Sequence, residues 1–174
     1  QDATFTLDSF IKRYNADLAN DYGNVVNRVS VLISKFFDSK VPSPGSYNDL
    51  DLNLIGSFKE APIKIHQHID ELRIHDAVEI IFSLIRSINK YLEEKAPWKT
   101  IKEFPDQEEV TATTLYVSIE CIRICTQLLH PIMPSKTKIV LDAIRKKNSS
   151  DYSLSFGEII PGQEIQSIPT LFPK

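Results

Sequence analysis

Apolar residues in this chain recur at three- and four-residue spacing, a period that fits helices and not half-buried strands. The clearest run is Val78, Ile81, Leu84, Ile85, Ile88 and Leu92, one stripe on a helix predicted over residues 76–95. Asp76 is placed to cap its start, with Glu79 three residues on. Ala96-Pro97 ends it, because the residue before a proline is pushed out of helical geometry. The same period predicts a helix over about 7–37, capped by Thr6 or Asp8. Another spans about 47–75, kinked or broken near 56–62 by Gly56 and Pro62. A fourth covers about 106–130, its apolar face including Val110, Leu115, Ile119, Ile122, Leu128 and Leu129. A fifth holds Pro134 in its first turn and ends near Lys147.

Between these elements, Val41-Pro42-Ser43-Pro44-Gly45 is the clearest loop, and residues 1–6 read as a linker or an arriving strand end. From Ser149 onward the helical period lapses. Phe156, Ile159, Ile160, Ile165, Ile168 and Leu171 instead predict extended chain docked on the helices. With only five glycines in the chain, the expected fold is all-α. Residues 1–148 form a mostly antiparallel bundle of about five helices, and 149–174 an extended C-terminal segment packed on it.

The first helix carries an unusual polar face. At about 100° per residue, Leu18, Tyr22, Val25, Val29, Leu32 and Phe36 share one side, and Asn20, Asn24, Asn27 and Arg28 the other. Asparagine is a mediocre helix former, since its amide competes for backbone groups, and Glu or Lys makes a solvated face more cheaply. Amides donate and accept at once, which suits the edges of nucleobases. Arg28 adds a planar fork that bonds a base or phosphate, or stacks. A merely solvated polar face is the competing reading. Gly23 inside this helix costs roughly 1 kcal/mol relative to alanine; it is either a tolerated weak spot or a place where a helix or RNA approaches the backbone.

The sole tryptophan, Trp98, follows Pro97 just past a helix end. In a rigid turn it offers a platform for an unpaired base; the competing reading is a plug for the bundle end. Lys99 and Lys102 stand close by in sequence as possible phosphate contacts. A formal net charge of −3 argues against a surface wrapped in nucleic acid, though not against a local RNA contact. With 42% hydrophobic and 25% charged residues the composition is that of a soluble globular domain, and no run of about 18 apolar residues predicts a membrane span. Cys121 and Cys125, four apart, read as buried thiols of a reducing compartment rather than a disulfide or zinc site. His66 and His68 point to different faces of a helix and lack a third ligand, so no metal site is expected. No phosphate-cradling glycine loop and no catalytic motif is present. The only methionine is Met133, which gives the expectation of a piece of a longer protein.

Three segments carry a resemblance. Arg13-Tyr14-Asn15-Ala16-Asp17-Leu18-Ala19-Asn20, continuing through Gly23, Asn24 and Arg28, resembles the opening helix of the anticodon-binding domain of methionyl-tRNA synthetases, R-[YF]-N-A-D-L-A-N-x-x-G-N-x-x-x-R. Asn89-Lys90-Tyr91-Leu92-Glu93-Glu94-Lys95-Ala96-Pro97-Trp98-Lys99 resembles that family's N-x-Y-[IL]-[DE]-x-x-A-P-W-x. Leu128-Leu129-His130-Pro131-Ile132-Met133-Pro134 resembles its L-L-x-P-[FI]-M-P, a segment shared with sister class I synthetases. The close, Pro161-Gly162 and then Leu171-Phe172-Pro173-Lys174, resembles the family's P-G-x…L-F-P-[KR] tail.

The resemblance implies a domain that reads the CAU anticodon of tRNA(Met). It implies that Trp98 stacks on an anticodon base, that Asn24 and Arg28 recognise bases, that Asn20 lies near the loop, and that Pro97 sets the backbone beside the base. The implied partners are the tRNA(Met) anticodon loop and the catalytic domain of the same polypeptide, with no DNA or membrane, in the cytoplasm. Neither a His-Ile-Gly-His-like nor a Lys-Met-Ser-Lys-Ser-like segment is present, so this chain is expected to hold no catalytic residues and no cofactor. The implied parent is a methionine-tRNA ligase using ATP and Mg. The alternatives are the anticodon-binding domain of another class I synthetase, or a helical protein-interaction module without RNA binding.

Overall fold

The computed structural model describes residues 14–144 and 152–173. The described chain is helical with an extended tail, as the three-four apolar period requires. A π-helix, Tyr14–Gly23, runs directly into α1, Asn24–Phe36. There follow α2, Asp49–Asp70, α3, Ile74–Lys95, the seven-residue α4, Pro97–Glu103, α5, Glu108–Leu129, and α6, Pro134–Ile144. Expectations for a start near Leu7, its Thr6 or Asp8 cap, and an end near Lys147 lie outside the described residues.

Several boundaries differ from the sequence reading. Helix α2 is continuous from Asp49 through Pro62 to Asp70, with no break at 56–62. A proline inside a helix forfeits one hydrogen bond and crowds the preceding turn, at about 3 kcal/mol. Burial of Leu54, Ile55, Phe58, Ala61 and Ile65 along one face outweighs that. Its start is fixed by a capping box: Asp51 N–H donates to Asn48 Oδ1 at 3.2 Å, and Asn48 N–H to Asp51 Oδ2 at 2.9 Å. Helix α3 begins at Ile74, so Asp76 lies in the first turn rather than at the cap; its carboxylate instead approaches Arg73 at 3.9 Å.

Helix α5 is the axis of the fold. Every residue from Thr111 to Leu129 is buried, polar ones included. Val110, expected on the apolar face, is exposed at the helix entry. A helix buried all round has no water for its side-chain polar groups. Thr113, Thr114, Ser118 and Thr126 donate their hydroxyls to carbonyls four residues back, at 2.6–2.8 Å. Glu120 and Arg123 form a buried ion pair, Nη2 to Oε2 3.0 Å.

That pair clamps the tail. Arg123 donates to the Ser153 carbonyl at 2.6 Å and to the Ser155 carbonyl. Glu120 accepts from the Gly157 N–H at 2.8 Å and the Ile159 N–H at 2.6 Å. Beyond the clamp, the tail pairs antiparallel with the loop after α1. Val41 N–H donates to the Gln163 carbonyl, Gly162 N–H to the Val41 carbonyl, and Ile165 N–H to the Ser39 carbonyl, at 2.7–2.9 Å. Ile159, Ile165, Leu171 and Phe172 are buried, whereas Ile160, expected to dock, is 53% exposed because it sits at the turn before Gly162.

Removing one partner of a buried pair strands the other charge, at about 3–5 kcal/mol, whereas an exposed pair contributes about 0–1 kcal/mol. Glu120→Ala is expected to lower unfolding free energy in urea by about 3–5 kcal/mol. Asp142→Ala, which breaks the exposed Lys138–Asp142 pair at 2.7 Å, is expected to cost no more than about 1 kcal/mol. Equal losses would contradict the clamp.

Candidate nucleic-acid interface

The amide stripe lies on the π-helix and α1. The π-helix closes i→i+5 turns, yet its core side is the one the wheel gives, with Tyr22 buried and Leu18 packed against the core. Tyr22, Val25, Val26, Val29 and Ile33 are the buried positions, while Leu18, Leu32 and Phe36 are only half-buried. The polar side stays where the sequence puts it: Asn20, Asn24 and Asn27 are exposed and Arg28 is half-buried. Two ties hold the π-helix against α3. Asn89 donates its amide to the Asp21 carbonyl at 3.3 Å, and Arg86 approaches Asp21 at 3.7 Å. Burial nevertheless raises the Asp21 carboxyl above its ordinary range, Arg86 opposing the shift.

Trp98 is presented by an elbow. At the end of α3, Lys95 reaches Asp51 at 3.0 Å, and the Tyr91 hydroxyl donates to the same carboxylate oxygen at 2.6 Å. Ala96 then takes left-handed backbone angles, φ 41° and ψ 54°, which cost about 1–2 kcal/mol for a residue with a Cβ. Its carbonyl accepts from the N–H groups of Lys99 at 2.8 Å and Thr100 at 3.1 Å. Pro97 opens α4 with its ring buried, so Trp98 sits in the first turn of a short helix rather than in a loop. The indole is half-buried against the core. Lys99 and Lys102 project from α4 into solvent.

The elbow and the stripe meet at Arg28. Its guanidinium carbon lies 4.8 Å from the Trp98 ring centroid, a stacked cation–π contact. Its Nη2 lies 2.7 Å from Glu93, whose side chain is 62% exposed. An ion pair that open to solvent holds its partners weakly, so Arg28 can exchange Glu93 for another acceptor at little cost. Asn24 is one turn before Arg28, about 6 Å along the axis.

A concave surface lies beside the stripe, and the C-terminal tail is its second wall. Asn20, Asn24 and Asn27 face Ile168, Pro169, Thr170, Leu171 and Phe172 across a groove of about 390 Å³. Trp98 is not part of its lining and meets the stripe at Arg28. The tail wall escaped the sequence reading because extended chain carries no period to place it. Gly23 explains the close approach. A Cβ there would lie 3.2 Å from the Phe172 ring and 3.1 Å from the Leu18 carbonyl oxygen. The tail ring and the Leu18 carbonyl of the π-helix are what crowd the bare backbone there. Phe172 also packs edge-on against Tyr22, centroids 6.2 Å apart.

Among the described residues no His, Cys, Asp and Glu cluster could hold a metal ion, and no helix is long and apolar enough to cross a membrane. Cys121 and Cys125 are free and buried, and burial raises both thiols well above their ordinary range, which leaves them unreactive.

Comparison with known proteins gives one answer at three levels. Residues 41–174 match the family described as the anticodon binding domain of methionyl tRNA ligase. The chain is 32% identical over 99% of its length to the methionine–tRNA ligase of Caldanaerobacter subterraneus subsp. tengcongensis, and covers 27% of that protein. It is 34% identical over its whole length to the methionine–tRNA ligase of Sulfolobus acidocaldarius, and covers 31% of it. The crystal structure of Mycobacterium tuberculosis methionyl-tRNA synthetase bound by methionyl-adenylate superposes with a TM-score of 0.91 at 29% identity, over 97% of this chain and 34% of that one. The chain thus spans about a third or less of the relatives it matches.

Gly23→Val is expected to overpack the Phe172 contact and release the 168–172 wall, with helicity retained. Limited proteolysis should then cut the tail several-fold faster than in wild type; unchanged cutting would contradict the glycine's role.

Proposed function

Because the chain belongs to the family of anticodon-binding domains of methionyl-tRNA ligases, we propose that it reads the unpaired CAU anticodon of tRNA(Met) on the surface formed by Asn20, Asn24, Arg28 and Trp98. The observation that carries this is the contact between Arg28 and Trp98. It joins a planar hydrogen-bonding fork, an aromatic platform and an adjacent amide row. Anticodon bases are single-stranded in their loop and can be splayed onto such a surface.

The division of labour follows from the side chains. Stacking on Trp98 supplies affinity that every base can claim. Asn24 and Arg28 supply discrimination, since a wrong base leaves their polar groups unpaired in the complex. Asn20 extends the amide row towards the groove. Pro97, with left-handed Ala96, fixes the direction in which the indole points. Lys99 and Lys102, on the helix that carries Trp98, are placed to meet loop phosphates, one on each turn of α4.

The whole protein, in this reading, activates methionine with ATP and Mg and joins it to tRNA(Met) in the cytoplasm, with the domain described here supplying no catalytic group. The C-terminal tail, packed on the bundle over residues 152–173, also contacts the catalytic domain of the same polypeptide.

Binding of a labelled stem-loop RNA, followed by fluorescence anisotropy, tests the roles. Trp98→Ala is expected to weaken CAU binding by roughly 10- to 100-fold, with the helical circular dichroism unchanged. An unfolded variant, or unaltered affinity, would contradict the stacking role. Arg28→Ala is expected to narrow the affinity gap between CAU and a loop changed at one anticodon base; an unchanged gap would remove Arg28 from the reading.

A further inference from the structure

The groove beside the amide stripe does not end at Asn27. A second hollow of about 150 Å³ adjoins it along α1, and the two share Asn27 and Ile168. Ser30, Ser34 and Ser39 line one side of this second hollow, and Gln166 and Ser167 the other. Ser34 lies seven residues beyond Asn27, about 10 Å further along the helix.

Its chemistry is one-sided. A quarter of the chain is charged, yet no residue lining either hollow carries a charge. A phosphate site would hold arginine or lysine. Amides and hydroxyls match instead the neutral edges of a base and the hydroxyls of a ribose. The volume corresponds to about five liquid-water volumes, well below that of a drug-sized ligand.

The hydroxyls are also held in place. The Ser39 hydroxyl donates to the Ser34 hydroxyl at 3.0 Å, and the Ser30 hydroxyl to the Asn27 carbonyl at 3.0 Å. Ser39 has a positive φ of 59°, and the tail secures that turn through the Ile165 N–H to its carbonyl at 2.7 Å.

We infer that this second hollow is a nucleobase subsite, taking the base of one further unpaired nucleotide of the loop that the Asn20–Asn24 groove engages, with the ribose at its rim. The inference rests on the anticodon reading proposed above and extends it. The neutral trough carries bases with sugars at its rim, and the phosphates stay outside it, towards solvent.

The test uses the 174-residue chain and a CAU stem-loop. Ser34 is exposed on a helix, so Ser34→Leu fills the hollow at a position that tolerates leucine. Its affinity is expected to fall about tenfold, with Trp98 quenching at saturation and the preference for CAU both retained. An abasic scan of the loop nucleotides flanking the anticodon should find one position that weakens wild type about tenfold and leaves Ser34→Leu unaffected. Wild-type affinity in Ser34→Leu, or an abasic scan with no such position, would overturn the subsite while leaving the anticodon reading intact. No discrimination of CAU by wild type would instead overturn the anticodon reading, and the subsite with it.

Discussion

A helix with no solvent face must satisfy its polar side chains inside the protein, and α5 carries eight polar or charged residues into that position. The hydroxyls of Thr113, Thr114, Ser118 and Thr126 bond back to their own helix. Glu120 and Arg123 cannot be satisfied that way. A carboxylate and a guanidinium bring more lone pairs and N–H groups than they exhaust on each other. Arg123 also meets Gln127 at 2.9 Å, and the backbone of residues 153–159 satisfies the rest. The buried pair is thus both a liability of the core and the reason a tail without secondary structure has a fixed course.

That course matters because the tail completes the surface. From the clamp it pairs with the loop after α1, and its last described turn lays Phe172 against Tyr22 and Gly23. One wall of the groove is then an amide helix and the other is the tail. On the far side of Arg28, a second buried network of Asp51, Tyr91 and Lys95 anchors the elbow that presents Trp98. Both halves of the surface are therefore positioned by charges buried in the core, which hold geometry more firmly than surface pairs can.

The sequence made the helices legible because an amphipathic face is a periodic signal, and it made Asn20, Asn24, Arg28 and Trp98 legible because amides and a lone tryptophan are unusual in those settings. It misjudged places where packing overrides local preference. Pro62 reads as a break, yet the buried face of α2 carries the helix through it. Trp98 reads as a loop residue, yet left-handed Ala96 lets Pro97 start a new helix at once. Glu120 and Arg123, three apart in an otherwise apolar run, were the available sign that something polar docks on α5. The groove's second wall had no sign at all, since it depends on where an extended segment lies and not on what it contains.

Trp98 and the amide stripe are proposed to act together on unpaired bases. Trp98 is the only tryptophan, so its fluorescence reports that surface alone. The decisive measurement is a titration of the chain with a CAU stem-loop and with a second stem-loop differing only in its anticodon. Strong quenching by the first at concentrations where the second has little effect is the predicted result. Equal quenching by both, or none by either, would contradict the claim that this surface reads an anticodon.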